Sequence, residues 1–369
     1  MKVNLITRHA VPNYGSLLQT FATYEVLKSL DCDCQIIDYI REDEKSNGIC
    51  LALLKRNTKW NKNFFRRFIF VTYNGINYRL MYYLFKKRNN FLAMNKTKEY
   101  NSIEELKKDV PEGDVFCSGS DQLWGSVGSS DYDPAYFLKF VPKEKKCISY
   151  AGSFGTDVIC DELSKKLCEL FEDYSSISVR EQSAKNILSN QKIKSEIVLD
   201  PTLLLEKKQW QQQFELKNNE KSKYILIYQL HNNKEFDNYV KNLAIRKKMK
   251  IFRITSTLYN AFKKGKKFYL PSVGKFLDCF YNAQYVITDS FHGTVFSIIF
   301  NKQFANISPG VTSTRIDNLL KTFGLSDRML HRYDDFELLD KDIEWKSVNK
   351  KLSSLREESV EWLKKSIDS

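Results

Sequence analysis

Hydrophobic positions along the chain fall into short continuous runs that alternate with stretches of helical periodicity. The pattern predicts a strand at 3–7, a loop holding Asn13, Tyr14 and Gly15, an amphipathic helix at 16–30 and a strand at 34–38, which together form a βαβ unit. Strands follow at 114–117, 147–151, 177–179 and 196–199, with helices near 103–108 and 161–174 and one opening at Arg180-Glu181. A second series begins at 223–230 and continues with a helix to 248, a strand at 250–254, a helix at 273–281, a strand at 285–287, a buried helix at 295–300 and a strand at 303–307. Strand runs that are apolar on both faces imply parallel sheets covered by helices. The expected fold is therefore α/β with two Rossmann-like domains, 1–205 and 206–349, followed by an amphipathic C-terminal helix at 350–369.

One segment departs from this alternation. Residues 45–98 contain thirteen Lys or Arg, eleven aromatics and no Asp or Glu, so the net charge of +13 resides there and the remainder is formally neutral. Helical spacing of its apolar residues and the pair Asn74-Gly75 predict a basic insertion of two helices joined by a turn. Such helices suit an anionic membrane surface ahead of nucleic acid, or pack their aromatics on the domain; no nucleic-acid partner is expected. With 42% hydrophobic and 14% aromatic residues the 369-residue chain is not disordered. No apolar run reaches about 18 residues, and the first strand starts directly after Met1-Lys2, so neither a membrane span nor a secretory signal is expected. The eight cysteines are scattered without a CxxC pair, which fits reduced thiols in a cytoplasm and no metal site.

Candidate chemistry collects after strand ends, where open α/β sheets bind ligands. The run 288–294 places Asp289, Ser290, His292, Gly293 and Thr294 where a strand feeds a helix. Unpaired N–H groups at that helix start can hold a phosphate or carboxylate, and Gly293 permits close approach. Asp289 and Ser290 can cap the turn, or Asp289 can orient His292. Asn13, Gly15 and Ser16 form a second cluster. In a third, Ser120 and Asp121 can bind sugar hydroxyls and Trp124 can stack on a ring. Arg180 suits bidentate anion binding or a pair with Glu181, and Arg315, within 312–318, is a further anion candidate. His9 and His231 also follow strand ends, but each stands alone and reads as structural.

There is no GxGxxG, P-loop, HExxH or GxSxG motif, which removes support for nicotinamide redox, ATP hydrolysis and metalloprotease chemistry. The remaining set, Asn13 to Gln19, Gly119 to Trp124, Ser149 to Gly155, Ser178 to Glu181, Asp200-Pro201-Thr202 and Thr288 to Thr294, resembles the polysaccharide pyruvyl transferase family in order and spacing. The resemblance implies two domains facing a cleft, as in GT-B glycosyltransferases. It implies transfer of the enolpyruvyl carbon of phosphoenolpyruvate to two hydroxyls of a hexose as a 4,6-ketal, with phosphate released. The implied acceptor is a capsule, exopolysaccharide or cell-wall glycan, lipid-linked or finished, handled in the cytoplasm or peripherally on the inner face of its membrane. Phosphoenolpyruvate is a co-substrate, and no cofactor or metal is implied.

Under the resemblance His292 is the proton donor, or when protonated stabilises the departing phosphate, and Asp289 orients it. Arg180, Ser290, Gly293, Thr294 and Arg315 hold the donor, and Asn13, Gly15, Ser16, Ser120, Asp121 and Trp124 line the acceptor side. Some branches carry an arginine two residues before the histidine; Ser290 stands there in this chain, so the donor's arginine falls to Arg180 or Arg315. Two other readings compete: a nucleotide-sugar-dependent glycosyltransferase or epimerase of the same architecture, and a non-enzymatic membrane-associated glycan-assembly protein relying on 45–98.

Overall fold

In a computed structural model, which describes all residues except 58, 91, 126–131, 220–222, 257–259, 261 and 309–313, the parallel strands sort into two sheets. The first belongs to a unit made of Met1–Leu204 and Arg356–Ser369, the second to a unit made of Leu205–Leu355. The helix Trp345–Asp368 passes from one to the other along its length.

Among the described residues the first unit holds seven strands: β1 (Lys2–Ile6), β2 (Asp33–Tyr39), β3 (Lys96–Tyr100), β4 (Val115–Asp121), β5 (Lys146–Gly152), β6 (Tyr174–Val179) and β7 (Glu196–Ile197). Their order is β3-β2-β1-β4-β5-β6-β7 and every pairing is parallel, with Val3 opposite Cys34 on one side and Val115 on the other. The chain runs outward from β1 to β3 and then returns to β1's other edge with β4. A crevice therefore opens between the C-terminal ends of β1 and β4. The central strands are buried on both faces, which is why they read as continuous apolar runs. β3, Lys-Thr-Lys-Glu-Tyr, carries no such run because it is an edge strand, and its lysines guard that edge.

The helix Tyr14–Ser29 is buried nearly all round. Its internal hydroxyls are satisfied within the helix: Thr20 Oγ1 donates to the Ser16 carbonyl (2.7 Å) and Thr23 Oγ1 to that of Gln19 (2.8 Å). The C-terminal helix covers this unit through Arg356, whose Nε donates to Leu203 O (2.9 Å), and Ser359, whose Oγ accepts from Leu199 N–H (3.0 Å).

Segment 45–98 folds as helices Ser46–Arg56 and Phe64–Asn89 and then enters β3; its residues 58 and 91 lie outside the described residues. The expected turn at Asn74-Gly75 does not form. Asn74 Nδ2 bonds the Phe70 carbonyl one turn back (2.9 Å), and both residues sit inside a single 26-residue helix. A Cβ at Gly75 would meet nothing within 4 Å. Gly75→Ala should therefore stabilise the protein by about 0.5–1 kcal/mol in denaturant unfolding, since alanine removes backbone freedom from the unfolded chain without a clash. A loss of stability would show that this glycine serves another purpose.

The second unit holds β8 (Tyr224–Tyr228), β9 (Lys250–Thr255), β10 (Lys266–Tyr269), β11 (Tyr285–Thr288), β12 (Gln303–Ile307) and β13 (Met329–Leu330). The order is β10-β9-β8-β11-β12-β13, again wholly parallel, with its crevice between β8 and β11. Its core is aromatic: Phe296 lies edge-on to Trp210 (5.4 Å) and Phe276 packs on Phe280 (5.0 Å).

At this unit's surface Lys207 and Lys302 each lie 5.8 Å from the ring centroid of Tyr281. Burial, with repulsion from Lys207, lowers the Lys302 pKa to about 8. Below that value the ammonium is held charged at a cost, and the cost disappears as pH rises from about 8 toward the unfolded value. Lys302→Met should unfold at a higher temperature than wild type at neutral pH, and the gap should narrow through that window. A gap independent of pH would refute this account.

Candidate active site

The run 288–294 lies at the β8–β11 crevice. Thr288 Oγ1 donates to the Tyr228 carbonyl (2.7 Å) and accepts from Ser290 N–H (3.1 Å), which pins the turn to both strands. Ser290 Oγ accepts from Gly293 N–H (3.4 Å) and caps the helix Phe291–Ile299. Buried Thr294 Oγ1 lies 3.0 Å from Ser290 O and 2.8 Å from Asn306 Oδ1. A Cβ on Gly293 would stand 2.2 Å from Thr288 Oγ1, so the glycine lets the helix close on β11. The side chains of Ser290 and Thr294 and the missing side chain of Gly293 thus build the turn, a correction to their expected place on the donor. His292, second in the helix, is half-buried and edge-on to Phe291 (5.2 Å, 87°).

Asp289 makes the second correction. Its buried carboxylate accepts from Leu230 N–H (2.7 Å) and His231 N–H (2.8 Å), and His231 Nδ1 lies 3.1 Å from Oδ2. It therefore orients His231, which follows β8, and not His292. Against an ionised carboxylate Nδ1 carries the proton, leaving Nε2 for exchange. The His231 side chain, 51% exposed, borders a cavity of about 340 Å3 that Asn233, Lys234, Ile307 and Ser308 also line. Arg315 sits half-buried as the second residue of the helix Thr314–Thr322; residues 312 and 313 of its run lie outside the described residues.

In the first unit Asn13 caps the helix Tyr14–Ser29, accepting from Gly15 N–H (2.8 Å) and Ser16 N–H (3.4 Å). Ser16 Oγ donates to Asp121 and ties the start of the helix to the end of β4. Asp121 ends β4 in the left-handed region, with φ of 81°, a strained conformation for a non-glycine residue that turns the carboxylate toward Ser16 and Arg180. Ser120 is buried, with Oγ donating to the Ala151 carbonyl (2.9 Å).

Arg180 is not free to seize a donor. Its wholly buried guanidinium meets Asp200 (2.8 Å), Asp121 (3.3 Å) and Glu181 (3.3 Å). Burial opposes its charge, yet Glu181, Asp200 and Asp121 outweigh burial and raise its pKa. Nearby Arg8 pairs with buried Glu44 (2.6 Å) and also feels Asp121. Among the described residues the cluster thus sets two cations against four carboxylates.

Trp124 is likewise corrected. It is fully buried, 4.9 Å from Phe171 edge-on and stacked on Phe137 at 6.0 Å, so no face is open to a sugar. A Cβ on Gly152 would stand 2.1 Å from its ring, so the glycine of the run 149–155 exists to seat the indole. The residue that reading the chain missed is His231. Its position after a strand end was a signal, but its carboxylate lies 58 residues away.

Four of the six motifs overlap the C-terminal end of a parallel strand, and the runs 13–19 and 200–202 follow one. Residues 13–310 match the family described as polysaccharide pyruvyl transferase. No curated protein matches the sequence significantly. Among solved structures the chain is similar to the UDP-GlcNAc 2-epimerase of Methanocaldococcus jannaschii in complex with UDP-GlcNAc and UDP, at 14% identity and a TM-score of 0.50 over 95% of this chain and 93% of that one. It is also similar to an alpha-glucosyltransferase in complex with UDP and a 13-mer DNA, at 8% identity and a TM-score of 0.51 over 98% and 94%. At such identities the likeness shows fold alone: two Rossmann-like units of the GT-B kind. On a match that spans most of its length, with its motifs gathered at the strand ends, this chain belongs to the polysaccharide pyruvyl transferase family.

Proposed function

We propose that the chain transfers the enolpyruvyl carbon of phosphoenolpyruvate to two hydroxyls of a hexose, forming a 4,6-ketal in a cell-surface polysaccharide or its lipid-linked precursor. The observation that carries this reading is a pair of imidazoles at neighbouring strand ends, His231 on buried Asp289 and His292 at a helix start. The reaction needs proton traffic of this kind. A proton goes to the terminal methylene carbon of phosphoenolpyruvate, making it a methyl group, and the first hydroxyl adds to the central carbon and loses its proton. The second hydroxyl then displaces phosphate at that carbon, and its proton leaves with the phosphate. His292 delivers the first proton, and the His231–Asp289 pair receives the hydroxyl proton. No resident cofactor or metal enters this scheme.

The carboxylate-rich cluster of the first unit favours sugar hydroxyls, which donate, over a polyanionic donor, and this supports an acceptor at Asn13, Ser16 and Asp121. With Arg180 committed to carboxylates, Arg315 is the proposed cation for the donor. Lipid-linked oligosaccharides incubated with the protein and phosphoenolpyruvate should gain the mass of one pyruvyl ketal, and phosphoenolpyruvate should raise the unfolding temperature. Stabilisation by a nucleoside diphosphate alone, with no mass gain, would overturn the proposal in favour of nucleotide-sugar chemistry.

The dyad has its own test. Asp289→Asn and His231→Ala should each slow phosphate release by about 100-fold, and the double variant should be no slower than the worse single one, because both remove one device. Effects that multiply would separate the two residues.

A further inference from the structure

The helix Phe64–Asn89 has two apolar faces, and only one is covered. Tyr78, Tyr82, Phe85 and Asn89 recur at helical spacing on the inner face. There Phe85 is buried edge-on to Tyr14 (5.2 Å), Tyr82 Oη donates to the Glu44 carbonyl, and Cys50 Sγ lies 3.8 Å from Val71 O. Opposite them run Phe65, Ile69, Tyr73, Ile76, Leu80 and Tyr83, with Phe68 beside them, each between 40% and 71% exposed. At 1.5 Å per residue this stripe is roughly 27 Å long. A contiguous apolar surface of that length on a docked helix marks an interaction site.

Charge selects the partner. Basic residues flank the stripe at both ends, Arg66 and Arg67 at one and Lys86, Lys87 and Arg88 at the other, in a segment with no Asp or Glu. A second copy would present the same charge and be repelled. Nucleic acid would satisfy the charge and stack on the aromatics, but it offers nothing to Ile69, Ile76 and Leu80. An anionic lipid surface satisfies both, with acyl chains for the stripe and headgroups for the basic ends.

We propose that the helix Phe64–Asn89 lies in the interfacial plane of an anionic membrane. Among the described residues no helix is long and apolar enough to cross a membrane, so the attachment is peripheral. Tyr83 and Lys86 of the same helix also line a cavity of about 500 Å3 that reaches His9 and Asp38 near the ends of β1 and β2. Docking thus places that cavity at the lipid surface, where a lipid-linked acceptor would arrive; this last step rests on the transferase reading, whereas docking itself does not.

The test is flotation with phosphatidylcholine vesicles, with and without phosphatidylglycerol. Wild type should bind the phosphatidylglycerol vesicles and be weakened by added salt. A Phe65→Ser, Phe68→Ser, Ile76→Ser variant should bind at least about 100-fold more weakly. Arg66→Glu, Arg67→Glu, Lys87→Glu should lose the preference for anionic lipid. Both variants alter exposed positions and should keep the wild-type unfolding temperature and phosphoenolpyruvate-dependent phosphate release. Flotation of the serine variant at the wild-type level overturns the proposal, as does wild-type protein that ignores phosphatidylglycerol or dimerises through the stripe. So does tighter binding to nucleic acid than to vesicles. Flotation reports docking even if no phosphate is released, so failure of the transferase reading remains distinguishable.

Discussion

His292→Ala is expected to lower phosphate release from phosphoenolpyruvate by about 10²–10⁴-fold, the usual worth of a positioned acid or base. The fall should appear in kcat with little change in KM, because the imidazole acts on a proton that moves only as the reaction proceeds. The fold should survive. The ring is half-buried at the second position of the helix Phe291–Ile299, whose start is held by Thr288, Ser290 and the close seat of Gly293. Unfolding temperature, measured beside the kinetics, separates lost chemistry from lost structure. Wild-type turnover in this variant would sink the assignment and leave His231 as the acid to examine.

Arg180→Ala should act through stability. Removing the guanidinium strands the carboxylates of Asp121, Glu181 and Asp200 in a buried cluster, a loss of about 3–5 kcal/mol, or roughly 10 °C in unfolding temperature. The sign of its pH dependence follows from the stranded groups. Buried carboxylates without a cation repel one another and resist desolvation only while charged, so protonation relieves the variant. The gap from wild type should therefore shrink in mild acid. A variant that unfolds like wild type but shows a raised KM for phosphoenolpyruvate would instead restore Arg180 to the donor site.

These outcomes separate what is legible in a chain from what is not. His292 and the clusters around Asn13 and Asp121 stand out because α/β sheets gather polar residues at strand ends and the surrounding runs are apolar. The edge strands β3, β10 and β13 do not stand out, since the first two are lysine-rich and the third has only two residues. Asn74-Gly75 misleads because the local signal for a turn is weaker than continuous helical packing on both sides of it. Arg180 and Trp124 look like ligand-binding residues because an arginine or a tryptophan beside a strand end has the same appearance whether its partner is a substrate or the protein.

Family, parallel α/β architecture and the confinement of the excess charge to 45–98 are all written along the chain, because hydrophobic period, motif order and charge are properties of neighbours in sequence. Folding in three dimensions settles which carboxylate serves which cation or imidazole: Asp289 with His231, and Asp121 and Asp200 with Arg180. It also sets which face of the helix Phe64–Asn89 is left uncovered. The difference is one of range. An ion pair or a packed face depends on distances set by sheet order, which joins residues 20 to 59 apart in the chain, and no local pattern encodes them.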